Sequence, residues 1–143
     1  MSENILLTQL EGLVKDFTKS QNDVQGQIVI AFPAGVPIAN TWKGNIDPIL
    51  VGAVSAAVKL TFQNLCMNLK KGLIKRIIVN SEMGRIIIQK VGERAILTTI
   101  IAEEADIFRI AFGISNLAIK IKNLFKNFKG DLDDLLFIDS KIK

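Results

Sequence analysis

Three carboxylates stand close together in the chain, Glu103, Glu104 and Asp106. Paired carboxylates can share general acid and base work or hold a hard cation. Here they open a long apolar-periodic run, and acids at that place suit the positive end of a helix dipole. That structural reading is favoured. Arg76, Arg85, Arg94 and Arg109 each have the chemistry of an arginine finger, which stabilises charge on a transferring phosphoryl group. Their spacing selects none of them. Cys66 is the single cysteine, so no internal disulfide forms, and its apolar neighbours suit a buried structural thiol. The chain has no histidine, which removes the commonest general base and metal ligand. With one cysteine and no histidine, a zinc site of the usual type cannot form within one chain. No GxxxxGK[ST] loop occurs, so the chain is not itself a P-loop GTPase. These absences point to a non-enzyme with no catalytic residues, no cofactor and no metal.

The 143 residues make one domain. With 49% hydrophobic and 22% charged residues the chain is globular. Its mean hydropathy of +0.33 is high and implies either a membrane segment or apolar surface shared with a partner. The longest apolar stretch, around Ile49–Val58, is interrupted by Ser55 and bracketed by Asp47 and Lys59. A spanning helix needs about 20 predominantly apolar residues. Met1-Ser2-Glu3-Asn4 lacks the basic start of a signal peptide. A cytoplasmic oligomer is therefore expected. The net charge of +4 is spread along the chain and tyrosine is absent, which does not make a nucleic-acid face.

The elements follow from periodicity. Residues 3–19 form an amphipathic helix with Leu6, Leu7, Leu10, Leu13, Val14 and Phe17 on one side and Ser2 as N-cap. Two β-branched runs, 27–32 and 36–42, flank Pro33-Ala34-Gly35 as a hairpin. Pro37 marks the second as an edge strand. Asn45 or Asp47 caps a long helix that ends before Gly72. Strands at 73–79, 85–90 and 94–101 follow, turning at Glu82-Met83-Gly84 and Val91-Gly92-Glu93. Ile86-Ile87-Ile88 reads as a central strand covered on both faces, and the Lys75-Arg76 pair as the guard of an edge strand. The last helix runs from Glu103 or Asp106 to Phe128. The order is αββαβββα, an α+β three-layer sandwich. Its five-stranded, largely antiparallel sheet has the long central helix on one face and the first and last helices on the other.

The central helix carries two apolar stripes. Val51, Val54, Val58, Phe62, Leu65 and Leu69 form one, expected to face the sheet. Ile49, Ala53, Ala56, Leu60 and Met67 form the other, beside Gln63 and Asn64. Gly52, Ala53, Ala56 and Ala57 keep that second face small, which lets helices approach closely. It is expected to pack on its own copy across a two-fold axis, an interface of Ile49, Gly52, Ala53, Ala56, Ala57, Leu60, Gln63, Asn64 and Met67. The last helix has a core face and a narrower strip of Phe108, Phe112 and Ile119. Contact of that strip with the first helix is the favoured reading, and partner docking the sharper one. The tail holds Leu135, Leu136, Phe137 and Ile138, which could add a strand to a partner.

The hairpin Ile28–Ala39, the Ala-rich helix after it, the turn Met83-Gly84-Arg85 with Ile86–Ile88 and the turn at Gly92 resemble the Roadblock/dynein light chain family. The likeness covers roughly 3–128 as a Roadblock-like domain, leaving 129–143 as a C-terminal tail. It implies a non-catalytic scaffold or regulator, paired with itself or a related Roadblock subunit through the central helix and the neighbouring edge strand. The partner implied is a small Ras-like GTPase or its assemblies. No nucleic acid is implied, and a membrane only indirectly. The alternative is a membrane-surface or trafficking adaptor of longin- or profilin-like type.

Overall fold

The computed structural model describes residues 1–135. The chain runs α1 (Glu3–Ser20), β1 (Val24–Ala31), β2 (Val36–Asn40), α2 (Pro48–Asn68), β3 (Arg76–Ser81), β4 (Gly84–Val91), β5 (Ala95–Ala102) and α3 (Ile107–Lys126), then a 3-10 turn at Leu132–Asp134. This is the expected αββαβββα order. The strands lie in the order β2-β1-β5-β4-β3, and every pairing is antiparallel. The one pairing of strands not adjacent in sequence is β1 with β5, which joins the two halves of the chain. Both edge assignments hold. β2 carries Pro37 beside a register shift at Val29/Ile30, where a missing N–H interrupts least. β3 is the other edge.

α1 and α3 bury one face of the sheet. Leu6, Leu10 and Val14 of α1 meet Ile110, Ile114, Leu117 and Ile121 of α3 over Val29, Leu97, Ile87 and Ile101 of the strands. The apolar stripes read from the sequence supply these contacts. Ser2 caps α1, its Oγ accepting from the Ile5 N–H at 3.2 Å. A polar chain crosses this layer: the fully buried Gln27 donates to Thr99 Oγ1 at 3.0 Å, and the Gln27 N–H donates to Thr41 Oγ1 at 2.9 Å. Such groups must be paired when buried.

Three expectations are corrected. Of the Ile86-Ile87-Ile88 run in β4, Ile87 and Ile88 are buried while Ile86 is exposed, because β3 beyond it is almost bare. The domain does not stop at 128: Leu132 and Leu135 are buried in the α1/α3 core, and Arg94 holds the Phe125, Phe128 and Gly130 carbonyls where the chain leaves α3. Gly72 does not terminate α2. Lys70 does, at φ 59°, with its N–H on the Met67 carbonyl at 3.0 Å and the Lys71 N–H on the Cys66 carbonyl at 2.8 Å. That is a Schellman ending with a lysine in the position glycine favours.

A side chain in the left-handed region costs about 1 kcal/mol relative to glycine. Lys70→Gly is therefore expected to stabilise the fold by about 1 kcal/mol, read as a higher urea midpoint with an unchanged slope.

Candidate functional site

α2 begins at Asp47, whose Oδ1 accepts from the Ile49 N–H at 2.9 Å, with Pro48 in the first turn. These residues set the helix entry. Its inward row is Gly52, Ser55, Ala56 and Lys59. A Cβ on Gly52 would lie 2.3 Å from the Gly35 carbonyl oxygen, so the helix rests directly on the β1–β2 turn. Thr98 Oγ1 donates to Ser55 Oγ at 2.9 Å. Lys59 is 6% exposed, and its Nζ lies 4.1 Å from the centre of the Phe32 ring, a cation–π contact. Burial lowers the Lys59 pKa below the ordinary 10.5; nearby Lys90 lowers it further and Glu93 opposes both. Gln63 Oε1 accepts from the Ile74 N–H at 3.0 Å and ties α2 to the approach to β3. Its Nε2 is buried without a partner among the described residues.

This seating changes the expected interface. Gly52 and Ala56 are buried against their own sheet, and Gln63 is half-buried. Their small size serves the helix–sheet contact and is not available to a second copy. Ile49, Ala53, Ala57, Leu60, Asn64 and Met67 are exposed. The stripe expected to face the sheet lies on the other flank. Val51 and Val58 pack partly against Ile28, Ile30, Ile88 and Ile96, together with Ile77, but Val54, Phe62, Leu65 and Leu69 are each close to half exposed. α2 packs on β1 and β2. Ile77, Val79, Ile86 and Ile100 share the α2 face of the neighbouring strands by register, and none of them is fully buried. An apolar helix flank, an apolar half-sheet and an edge of β3 with no partner strand among the described residues therefore adjoin.

By length and composition α2 could cross a membrane, which the sequence reading excluded from one shorter stretch. In this fold it lies on the sheet, tied through Ser55 and Lys59. The Phe108, Phe112 and Ile119 strip is exposed and does not meet α1; Phe17 of α1 packs instead on Gly113. Leu135 is core, not a docking residue. Leu136, Phe137 and Ile138 lie outside the described residues. Cys66 is half-buried.

The arginines and Asp106 are engaged within the fold. Arg76 bonds Gln89 and Ser115, Arg85 bonds Asn80 and the Ala105 carbonyl, and Arg109 bonds Gln21 and Asp23. Asp106 caps α3 by accepting from the Arg109 N–H at 3.3 Å. Among the described residues no three His, Cys, Asp or Glu side chains gather as a metal site would require. A concavity of about 540 Å³ between α1 and β2 is lined by Lys15, Lys19, Trp42 and Lys43. Its Asn40 side chain is spent on the Trp42 backbone, at 2.8 and 3.2 Å.

No family model and no curated protein matches the sequence. Solved structures do match in shape. Myxococcus xanthus MglB superposes with a TM-score of 0.79 at 15% identity, over 85% of this chain and 98% of that one. A Roadblock/LC7 domain from Streptomyces avermitilis gives 0.76 at 9% identity, over 82% and 98%. The fold is that of the Roadblock/LC7 domain. A chain of the LokiProfilin1–rabbit actin complex superposes less closely, with a TM-score of 0.57 at 23% identity over 87% of this chain and 98% of that one. The Roadblock resemblance read from the turns and helix is thus matched in three dimensions, at identities where only shape is shared.

Two substitutions test the seating of α2. Gly52→Ala forces the helix off the Gly35 carbonyl and is expected to cost about 1–3 kcal/mol in urea unfolding. Lys59→Met removes a poorly solvated charge and is expected to raise the urea midpoint at pH 7. Between its lowered folded pKa and 10.5, the unfolded chain holds a proton at Lys59 that the folded chain has lost, so this residue's contribution rises with pH. The advantage of Lys59→Met over wild type should therefore shrink as pH climbs through that window.

Proposed function

We propose that this chain is a non-catalytic, cytoplasmic, homodimeric scaffold that binds a small Ras-like GTPase or its assemblies. The observation that carries the reading is the joined apolar surface of α2's outer flank, the open half-sheet and the β3 edge. Several large apolar side chains on one helix stand about half exposed, and such a surface on one side of a small domain marks an interaction site. An unpaired strand edge beside it invites a partner strand. A second copy satisfies both needs with one two-fold axis: β3 pairs antiparallel with its mate, and each α2 lies over the other's bare half-sheet. Val54, Phe62, Leu65 and Leu69 then lie at the centre of the interface, with the exposed members expected from the sequence at its margin.

The GTPase part rests on the Roadblock shape shared with MglB and on the chain's lack of its own phosphate-binding loop. A related Roadblock subunit would fill the same surface, giving a heterodimer. A longin- or profilin-like adaptor would instead be a stable monomer.

Light scattering on a sizing column is expected to give twice the chain mass. Leu65→Glu buries a charge in the contact and should weaken pairing at least about 100-fold, equivalent to roughly 3 kcal/mol. Ala53→Glu, on the far flank, should act less. A wild-type monomer would sink the dimer. A dimer that neither captures any Ras-like GTPase from its own cell nor changes that GTPase's nucleotide hydrolysis or exchange would sink the second part.

A further inference from the structure

The opposite face of the molecule carries a second, chemically different surface. Phe108, Phe112 and Ile119 are 85%, 70% and 57% exposed, and their spacing puts them on one row of α3. β3 runs alongside this row. Arg76 donates to Ser115 Oγ, and Arg85, opposite Asn80, donates to the Ala105 carbonyl at 3.3 Å. Ile78 falls between those ties, on the α3 side of the sheet and itself exposed. Ile78 thus adds an exposed apolar side chain on the same side of the sheet as the aromatic row.

Beside them the C-terminal half of α3 and the ends of β3 and β4 enclose a concavity of about 460 Å³. Lys75, Arg76, Lys90 and Lys122 line it against one acid, Glu93, which is held by Lys90 at 3.4 Å. Lys126 stands one helical turn beyond Lys122. The acids Glu103, Glu104 and Asp106 lie at the aromatic end, just before Phe108, where Asp106 is committed to capping α3. The surface is thus aromatic at one end and cationic at the other.

We infer that this α3 face docks on an anionic membrane, with lipid phosphates in the cationic concavity and Phe108 and Phe112 in the apolar phase. The protruding phenyl rings decide between a bilayer and a protein. An 85%-exposed side chain has no walls around it, so it suits a deformable apolar medium better than a groove. Basic residues flanking Phe side chains on one helix face are the composition of interfacial binding. The two-fold arrangement proposed above adds to this: with β3 paired to its mate in a continuous sheet, both α3 faces point the same way. Each dimer then presents two sites to one plane, and binding gains from bivalency. Only this doubling rests on the dimer; the single-copy surface does not. Direct membrane contact also goes beyond the indirect contact that the family resemblance implies.

The test is cosedimentation of the full chain with vesicles of phosphatidylcholine alone and of phosphatidylcholine and phosphatidylserine in equal parts. Binding is expected to the mixed vesicles only, with release as salt shortens the screening length. Phe108→Ser with Phe112→Ser, and separately Lys122→Glu with Lys126→Glu, should each weaken it about tenfold or more, with circular dichroism and solution mass unchanged. No binding of the wild-type chain to mixed vesicles at low salt overturns the inference, as does binding that both pairs of substitutions leave intact. Capture by immobilised polyglutamate without vesicle binding also overturns it, in favour of an acidic protein. A wild-type chain that is monomeric yet binds the mixed vesicles through these residues supports the membrane face and removes the two-fold reading.

Discussion

The arrangement of this domain depends on one close approach, that of Gly52 to the Gly35 carbonyl. A helix 21 residues long can lie on a sheet by several of its faces when most of them are apolar. The face that wins here is the one whose smallest residue meets the β1–β2 turn. Gly35 itself has φ 84°, and a Cβ there would stand 3.1 Å from the Ala53 Cα, so neither glycine can be replaced without separating turn and helix. Once Gly52 is down, helical geometry sends Ser55, Ala56 and Lys59 to the sheet as well. The larger residues have nowhere to go but outward. The outer apolar flank is a consequence of inner packing, and a purely polar outer flank would fit the same seat.

The same contact fixes how much of the sheet is covered. α2 is anchored at the hairpin end and lies over β1 and β2, while α1 and α3 cover the opposite face. Coverage of the two faces is therefore unequal. On the α1/α3 side the core is continuous from Leu6 through Leu135. On the α2 side the buried cluster contains only Ile28, Ile30, Ile88 and Ile96, with partly buried neighbours. β3 sits at the margin of both and has no fully buried residue. A strand so thinly covered gains little from packing within its own chain, and its order draws on β4 pairing and on the Gln63 bond to Ile74.

Much of the fold was legible in the sequence, because periodicity, capping and turn chemistry agree with one another. Ser2, Asp47, Asp106, Pro37 and the Gly92 turn each fall where their local preference puts them, and α3's core face follows its 3.6-residue period. The orientation of α2 was not legible, for a physical reason. With apolar side chains all round, its amphipathic signal is weak, and hydrophobicity alone ranked Val54, Phe62 and Leu65 as the sheet face. The deciding features are shape, at Gly52, and two polar residues held inside, Ser55 paired with Thr98 and Lys59 with its ammonium over the Phe32 ring. Polar residues are usually assigned outward, and only the fold shows that these have partners within. The Phe108–Phe112 strip was misjudged in the same way. Gly113, not the strip, receives Phe17, so α1 packs on the core face of α3 and leaves Phe108, Phe112 and Ile119 exposed.

In both α2 and α3 the close contact within the chain is made at a glycine, and bulky apolar residues are left on the outside. A glycine at the point of closest approach permits tight packing there, and the large side chains that do not face the core, Val54, Phe62 and Leu65 on α2 and Phe108 and Phe112 on α3, stay exposed. The two exposed surfaces lie on opposite faces of one antiparallel sheet, joined at β3. The α2 side offers an almost uncharged apolar flank and a strand edge, features that a second folded chain can match in shape. The α3 side offers protruding rings beside a cationic hollow, features that require charge in the partner and tolerate little defined shape. On the two proposals, one sheet can hold both partners at once, since neither needs the surface that the other covers.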